Sequence, residues 1–598
     1  MEAITSFRPK LGSQLSLPSR TNLMLVSKLS RFPLTCYPGK IVHLRATATL
    51  TCNDRESHHT FKKLSPSEWG HHFLSVSVDV SEKNTLGRDI ETLKPKVREI
   101  LKSHSQGTDA SKTRILFIYL LVSLGLAYLF ENEIEEILKQ DFQKVEDLMI
   151  VEDDLYKVSI IFLVFRTYGH NMSSDVFKRF QESNDKFKES LVGNVKGMLS
   201  LYEAAHLGTT TDYILDEALS FASSHLESLV ASGNLPSHMA SHIQNALFTA
   251  QHQNMEILVA VEFIQFYEQE DDHDEMLLKL SKLNFKFLQL HYLEELKIVT
   301  KWYKDLDFVS NLPPYFRDRI VEAYFFMPAM YPEPQSSRAR IMMTKYYVII
   351  SLIDDTYDRY ASIPDAESLA NSFERWDLDD VMDKQPDYLK FIFRFTMETF
   401  KEFEREVGSY RVAGAIEEFK KFVKANINLA KWARAHVPSF EEYMKIGEVE
   451  IAVYGSMAAL VMGIEQIPIQ EAYEWLKSRP KLMRSLSTKA RLMNDITGFK
   501  DDMNRGYAAT GVNCYMKQYG VTEKEAIREL SKMVTKADKI LNEEYMINKV
   551  SVPRKVWKVA MDLARTVHIT YNGHDEYTNP EGKMKEYITS LFVNQFSL

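Results

Sequence analysis

IMMTKYYVIISLIDDTYD, residues Ile341–Asp358, is the stretch that decides how the rest of this chain is read. Its first part is mostly apolar and holds no Gly or Pro, so it reads as a buried helix. Three carboxylates, Asp354, Asp355 and Asp358, end it. On an α-helix Asp354 and Asp358 are i and i+4 and share a face, with Asp355 beside them. Grouped carboxylates repel one another and lose solvation, so the cluster calls for a cation. Mg²⁺ fits, because it takes one or two carboxylates, keeps several waters and bridges to phosphate oxygens. A solvated acidic helix end is the alternative reading.

Further along, RLMNDITGFKDD (Arg491–Asp502) carries Asn494, Gly498 and Asp502 at a spacing of four, which lines one helix face over two turns. Asn and Asp oxygens are hard ligands. Two such helices facing each other hold metal ions from opposite sides, and the ions clamp a diphosphate and neutralise it as it leaves. Basic residues suit the same plan. Arg317-Asp318-Arg319 follows Pro313-Pro314, and Arg491 stands three residues before Asn494. Guanidinium forks match phosphate oxygens and stay charged. Taken alone, Arg317 and Arg319 read as an ordinary surface pair.

The 598 residues are 45% hydrophobic and 26% charged, which is ordinary globular composition with ample core. A net charge of −9 points away from nucleic acid, and three cysteines exclude a disulfide framework. The first 53 residues hold seven Lys/Arg and one acid, Glu2, among Ser, Thr and Leu. That is the make-up of a transit peptide. The longest apolar run, Ile115 to Phe130, is short for a membrane span, so no stable membrane insertion is expected. After residue 80 the period is helical almost throughout, as at Ile134-Ile137-Leu138 and Leu288-Tyr292-Leu296. The acidic run Glu268–Glu275 reads as a connector. The expected organisation is all-α, with residues 1–53 as an address, 54–275 as an N-terminal helical domain and 276–598 as a C-terminal metal-binding domain.

Trp302 through Phe308, Arg317 to Arg319, Tyr331-Pro332-Glu333-Pro334, Asp354 to Asp358, Arg375-Trp376-Asp377 and Arg491 to Asp502 together resemble a plant class I terpene synthase, over nearly the whole chain after residue 60. The clade resembled is the one of mostly C15 enzymes with plastid-targeted C20 and C25 members. The resemblance implies an α-barrel-like N-terminal domain and a C-terminal helical bundle holding the active site. It implies three Mg²⁺, with Mn²⁺ as a substitute, on Asp354, Asp355, Asp358, Asn494 and Asp502, and diphosphate on Arg317, Arg319 and Arg491. At Gly498 the chain departs from the family, which has Ser or Thr there; a water is expected to fill that place. Asp502 stands where the family has Glu.

Apolar walls and aromatic faces shelter a carbocation from water. Candidates are Phe325, Phe326, Tyr347, Tyr571 and Tyr577, with Asp575 as a polar neighbour. Many relatives carry Trp at Phe326. Gly455-Ser456 is expected to interrupt an apolar helix at the cavity. Asn504-Arg505-Gly506-Tyr507 and Ser65–Gly70 are candidate closing segments. The tandem arginines of many monoterpene synthases would fall at His59-Thr60 and are missing, which argues against a C10 substrate. Asp379–Asp383 also reads DDxxD and Asp377–Asp380 reads DxDD; both are expected to be chance matches on a solvated helix end. His58-His59 and His71-His72 lack ligand partners and are expected on the surface.

The expected reaction is ionisation of a C20 or C25 acyclic prenyl diphosphate, cyclisation, and deprotonation to a hydrocarbon, by a monomer or weak homodimer in the plastid. If the tail is not an address, cytosolic farnesyl diphosphate is the better substrate. A chain-elongating prenyltransferase would carry two full DDxxD motifs, and a non-catalytic helical relative is the remaining alternative.

Overall fold

Long apolar-faced segments with capped ends and little Gly make this chain helical, and a computed structural model shows it so. It describes residues 67–102, 108–150, 152–377, 385–435, 437–547, 552–578, 580 and 582–598. Among the described residues there is no strand, only a lone antiparallel bridge between Gln181 and Phe187. The two decoy motifs at 377–383 fall largely outside the described residues, as do the His58-His59 pair and the tail. His71 and His72 are exposed, as expected.

In the N-terminal half, helix Leu155–Thr167 is buried along nearly its whole length from Val158 to Arg166. A helix apolar all round belongs inside a larger assembly, and helices Thr108–Ser123 and Val195–Ala205 pack on it. Arg166, at its end, is buried and held by Asp212 at 2.6 Å and the Met172 carbonyl at 2.7 Å.

Helix α1 (Glu275–Asp305) begins where the acidic run ends. The Asp274 carboxylate accepts the Leu277 N–H at 2.8 Å, so part of the connector is a helix cap. The cavity described below is lined by α2 (Ser337–Asp355), α3 (Phe440–Glu450), α4 (Val453–Gly463), α5 (Lys481–Asn504) and α6 (Arg554–Tyr571), together with the helix Ser409–Ala435 through Phe422, Asn426 and Leu429. Met343, Tyr346, Ile349 and Ile353 of α2 are fully buried at three- and four-residue spacing. Ser439 and Glu442 close a capping box at the start of α3. The stretch Phe440–Gly463 is long and apolar enough to cross a membrane, and most of it is buried inside the protein.

Two local departures from regular helix shape the cavity. After Asp355, α2 widens into a π-helical turn, Thr356–Tyr360, closed by the Ala361 N–H to the Thr356 carbonyl at 2.7 Å. The expected helix break at Gly455-Ser456 lies earlier, at Ile451-Ala452. Ala452 adopts φ +61°, a left-handed conformation that an L side chain adopts only under constraint, and α4 restarts at Val453. Gly455 sits inside α4, where a Cβ would come within 2.6 Å of the Tyr346 hydroxyl, so its role is close packing.

A polar seam joins the N-terminal helices to the C-terminal half. Arg565 and Lys558 of α6 reach Glu256 at 3.0 and 3.3 Å. The Asn542 amide donates to the His206 and Gly208 carbonyls at 3.0 Å each. Glu203 lies buried nearby, accepting the Gln251 N–H at 2.8 Å. Burial raises its carboxyl to about 8. A folded value above the ordinary 4.5 means that the folded state keeps a proton that the unfolded chain has lost. Stability therefore falls as pH rises from 4.5 to 8, at up to about 1.4 kcal/mol per pH unit. Glu203→Gln lacks this loss, so its melting temperature rises relative to the parent between pH 5 and pH 8. A constant difference between the two melting curves across that range would refute the assignment.

Candidate active site

The ends of α2, α3 and α5, with α6 and the segment after it, enclose a cavity of about 900 Å³. Its wall includes Phe326, Tyr347, Ser456, Tyr571, Asp575 and Tyr577 on the apolar and aromatic side. On the polar side stand Asp354, Asp358, Glu450, Arg491, Asn494, Gly498, Asp502, Arg505 and Tyr507. Both helices read from the sequence as acidic therefore line one cavity.

Asp354 opens directly into it. Its side chain keeps solvent exposure there, and partial loss of solvation to the surrounding protein, then the charges of Glu450, Asp358 and Asp355, raises its carboxyl above the ordinary range. Asp358 is held differently. Burial alone would raise it, but Arg505 at 2.7 Å, Arg359 and the Tyr507 hydroxyl outweigh that and keep it below its ordinary value. Asp355 lines the wall but is committed to arginines: Arg319 Nη1 reaches its Oδ2 at 2.6 Å and Arg359 Nε its Oδ1 at 3.3 Å. The expected trio is thus one open carboxylate and two in ion pairs.

On α5, Arg491 is the hub. It reaches Glu450 at 2.6 Å and Asp495 at 3.0 Å, and it also donates to the Asn494 side chain. The Tyr443 hydroxyl donates to Asp495 at 2.7 Å. Gly447 makes this approach feasible, since a Cβ there would come within 2.7 Å of Arg491 Cδ. At Gly498 a Cβ would meet only the Asp502 carboxylate, at 3.5 Å, so the position is open. Burial, then Asp358 and Asp495, raises Asp502 to about 7 although Arg505 lies 2.5 Å away.

Arg317 and Arg319 are buried and do not belong to the cavity wall. Arg317 pairs with Glu322 at 2.9 Å, and Arg319 pairs with Asp355 and lies over the Tyr577 ring at 5.5 Å. Their buried carboxylate partners explain the placement, because a guanidinium taken from water needs one. Phe325 is fully buried against Phe326 and Tyr587, outside the cavity wall. Tyr577 bonds Ser351 at 2.7 Å, and the Tyr347 hydroxyl meets Ser456. Glu450, Asp495 and Tyr443 are site residues that the sequence reading did not single out.

Among the described residues no three carboxylates or imidazoles already converge on one point. The donor chemistry nevertheless fits hard divalent cations. Asp354, Asn494 and Asp502 offer oxygen ligands on two helices that line one cavity, and loss of solvation first, with neighbouring carboxylates adding to it, raises Asp354, Glu450 and Asp502, so a cation placed among them would relieve both.

The description "Terpene synthase, N-terminal domain" matches residues 68–247, and "Terpene synthase family, metal binding domain" matches residues 304–540. Terpenoid synthase 9 of Arabidopsis thaliana is 58% identical over 99% of this chain and 99% of its own. Alpha-barbatene synthase of the same plant is 51% identical over 91% of this chain and 99% of its own. Isoprene synthase from grey poplar, solved with three Mg²⁺ ions and dimethylallyl-S-thiolodiphosphate, superposes with a TM-score of 0.79 at 25% identity, over 89% of this chain and all of that one. Limonene synthase with 2-fluorolinalyl diphosphate superposes with a TM-score of 0.81 at 26% identity, over 89% of this chain and 99% of its own. With the fold, the facing acidic helices and these similarities together, the chain belongs to the terpene synthase family and is a lyase that acts on prenyl diphosphates with divalent metal.

Proposed function

We propose that the substrate is a C20 or C25 prenyl diphosphate, geranylgeranyl or geranylfarnesyl, and the product a cyclic di- or sesterterpene hydrocarbon made in the plastid. The carrying observation is the cavity. At about 900 Å³ it sits near the top of the roughly 300–1,000 Å³ typical of small-molecule sites. Phe326 at its wall is smaller than the Trp of many relatives, which favours a longer chain. The basic, Ser/Thr-rich residues 1–53 support a plastid address.

In this reading, divalent ions, three by analogy with the poplar isoprene synthase complex, supply charge neutralisation for the departing diphosphate. Mn²⁺ would serve in place of Mg²⁺. The chain's own residues do the rest. Arg491, anchored by Glu450 and Asp495, presents a fixed guanidinium toward the diphosphate end. Phe326, Tyr347 and Tyr577 offer π-faces to the cation and keep water out. Tyr571 and Asp575 complete the polar margin. The working form is a monomer or weak homodimer, with domains meeting near residues 275–276.

A second reading has one observation behind it. The alpha-barbatene and (Z)-gamma-bisabolene synthases match about nine-tenths of this chain at 46–51% identity, and a C15 substrate follows if those relatives set the pattern. Purified protein with Mg²⁺ and C10, C15, C20 and C25 diphosphates in parallel, with hydrocarbons measured by mass spectrometry, decides between them. The expected result is a kcat/KM for C20 or C25 at least about tenfold above C15, a difference of about 1.4 kcal/mol at the transition state. A hydrocarbon from C15 alone overturns the reading.

A further inference from the structure

Arg505 joins the two acidic walls. It is the residue that follows α5 directly, and its guanidinium reaches Asp358 at 2.7 Å on one wall and Asp502 at 2.5 Å on the other. Its Nε lies 3.4 Å from Asp501. The same guanidinium lies over the Tyr507 ring at 4.7 Å, and the Tyr507 hydroxyl donates to the Asp358 carbonyl at 2.7 Å and to its carboxylate. Between Arg505 and Tyr507 stands Gly506 at φ +80°, with open space where a Cβ would be. One arginine thus supplies positive charge at the place where the carboxylates of the two helices approach each other.

A divalent cation ligated by Asp358 Oδ2 or Asp502 Oδ1 would use an oxygen that Arg505 now occupies. It would also stand against the guanidinium as a like charge. Arg505 has somewhere to go, since it borders the cavity that receives the diphosphate and is followed by a glycine whose surroundings do not confine it. A planar fork that now grips two carboxylate oxygens is matched equally well to two diphosphate oxygens.

We propose that Arg505 is an exchangeable counterion of the metal cleft, bridging Asp358 and Asp502 in the metal-free protein and turning to the diphosphate when divalent ions take those carboxylates. The bridge competes with metal and the released guanidinium assists diphosphate, so binding of the two is coupled through one side chain. Tyr507, latched to Asp358 and stacked on Arg505, moves with it.

The test uses Mn²⁺ and inorganic diphosphate as probes with the full chain, so its outcome does not depend on prenyl chain length. Free Mn²⁺ is followed by electron paramagnetic resonance for the parent, Arg505→Gln and Arg505→Lys, first without and then with diphosphate. Without diphosphate, Arg505→Gln is expected to bind Mn²⁺ at least fivefold more tightly than the parent. With diphosphate, its affinity for the Mn²⁺–diphosphate pair is expected to be at least tenfold weaker. Arg505→Lys keeps a charge but cannot fork between both walls; it guards against a folding defect in the glutamine variant and is expected to shift both affinities in the same directions by smaller factors. Unchanged or weaker binding of Mn²⁺ alone in the folded variants overturns the proposal.

Discussion

Asp354→Ala is expected to lower turnover at least about a thousandfold, some 4 kcal/mol at the transition state, while its melting temperature stays level or rises. The two halves of that result have one cause. Asp354 is the carboxylate that opens into the cavity without an arginine of its own, and partial loss of solvation there, with the charges of Glu450, Asp358 and Asp355, raises its carboxyl above the ordinary range. An ionised group so placed works against the fold, and metal binding is what it offers in return. Asp355→Ala separates the two functions. It strips the partner from buried Arg319 and should melt lower as well as turn over slowly, because a buried charge is left uncompensated. Product formation measured beside thermal melts checks both proteins. Near-parental turnover in Asp354→Ala would remove the metal assignment, and a large drop in its melting temperature would remove the electrostatic one.

The second large effect falls on stability, away from the cavity. Arg340 is fully buried and grips Glu295 through two bonds, at 2.6 and 2.8 Å. It also donates to the Tyr331 and Glu333 carbonyls at 2.6 and 2.7 Å, while the Tyr324 hydroxyl donates to Glu295 at 2.7 Å. This network ties α1 to the start of α2, the helix that ends in Asp354 and Asp355. Arg340→Met keeps the stem but leaves Glu295 charged and buried, at a cost of about 3–5 kcal/mol. Adding Glu295→Gln removes the stranded charge, so the double variant should recover part of the loss. Urea unfolding midpoints of the four proteins test this, and a parent-like midpoint for Arg340→Met would count against it. The folded fraction of Arg340→Met should turn over near the parental rate, because Arg340 does not line the cavity.

The helical class, the two acidic helices and their approach were legible because periodicity and hard-ligand chemistry are local signals. The connector was half legible: its acids mark a loop, but only the structure shows Asp274 capping α1. What the sequence concealed depends on partners distant along the chain. Nothing near Arg319 announces Asp355, thirty-six residues on, as the group that neutralises it, whereas Glu322, the partner of Arg317, lies only five residues away. The helix break was placed at Gly455 because glycine is the usual signal. The strained residue is Ala452, an alanine in a conformation that alanine resists, and composition carries no mark of it. Glu450 and Asp495 had one faint signal, in that Gly447 stands where a side chain would block Arg491 from reaching both. Arg505 was read as part of a closing segment, and its grip on Asp358 and Asp502 appears only when the two helices are brought together.

The widened turn at Thr356–Tyr360 bears on how far such a motif can travel. DDxxD looks like a self-contained helical cassette that would bring its geometry wherever it was grafted. Here the spacing from Asp354 to Asp358 is realised partly outside the α-helix, in a turn whose ladder skips to the fifth residue. That turn is fastened by the bond between the Tyr315 and Thr356 hydroxyls, at 2.8 Å, and by Tyr507 on the Asp358 carbonyl. The acidic letters alone would therefore not transplant; the graft would need the tyrosines that hold the turn open.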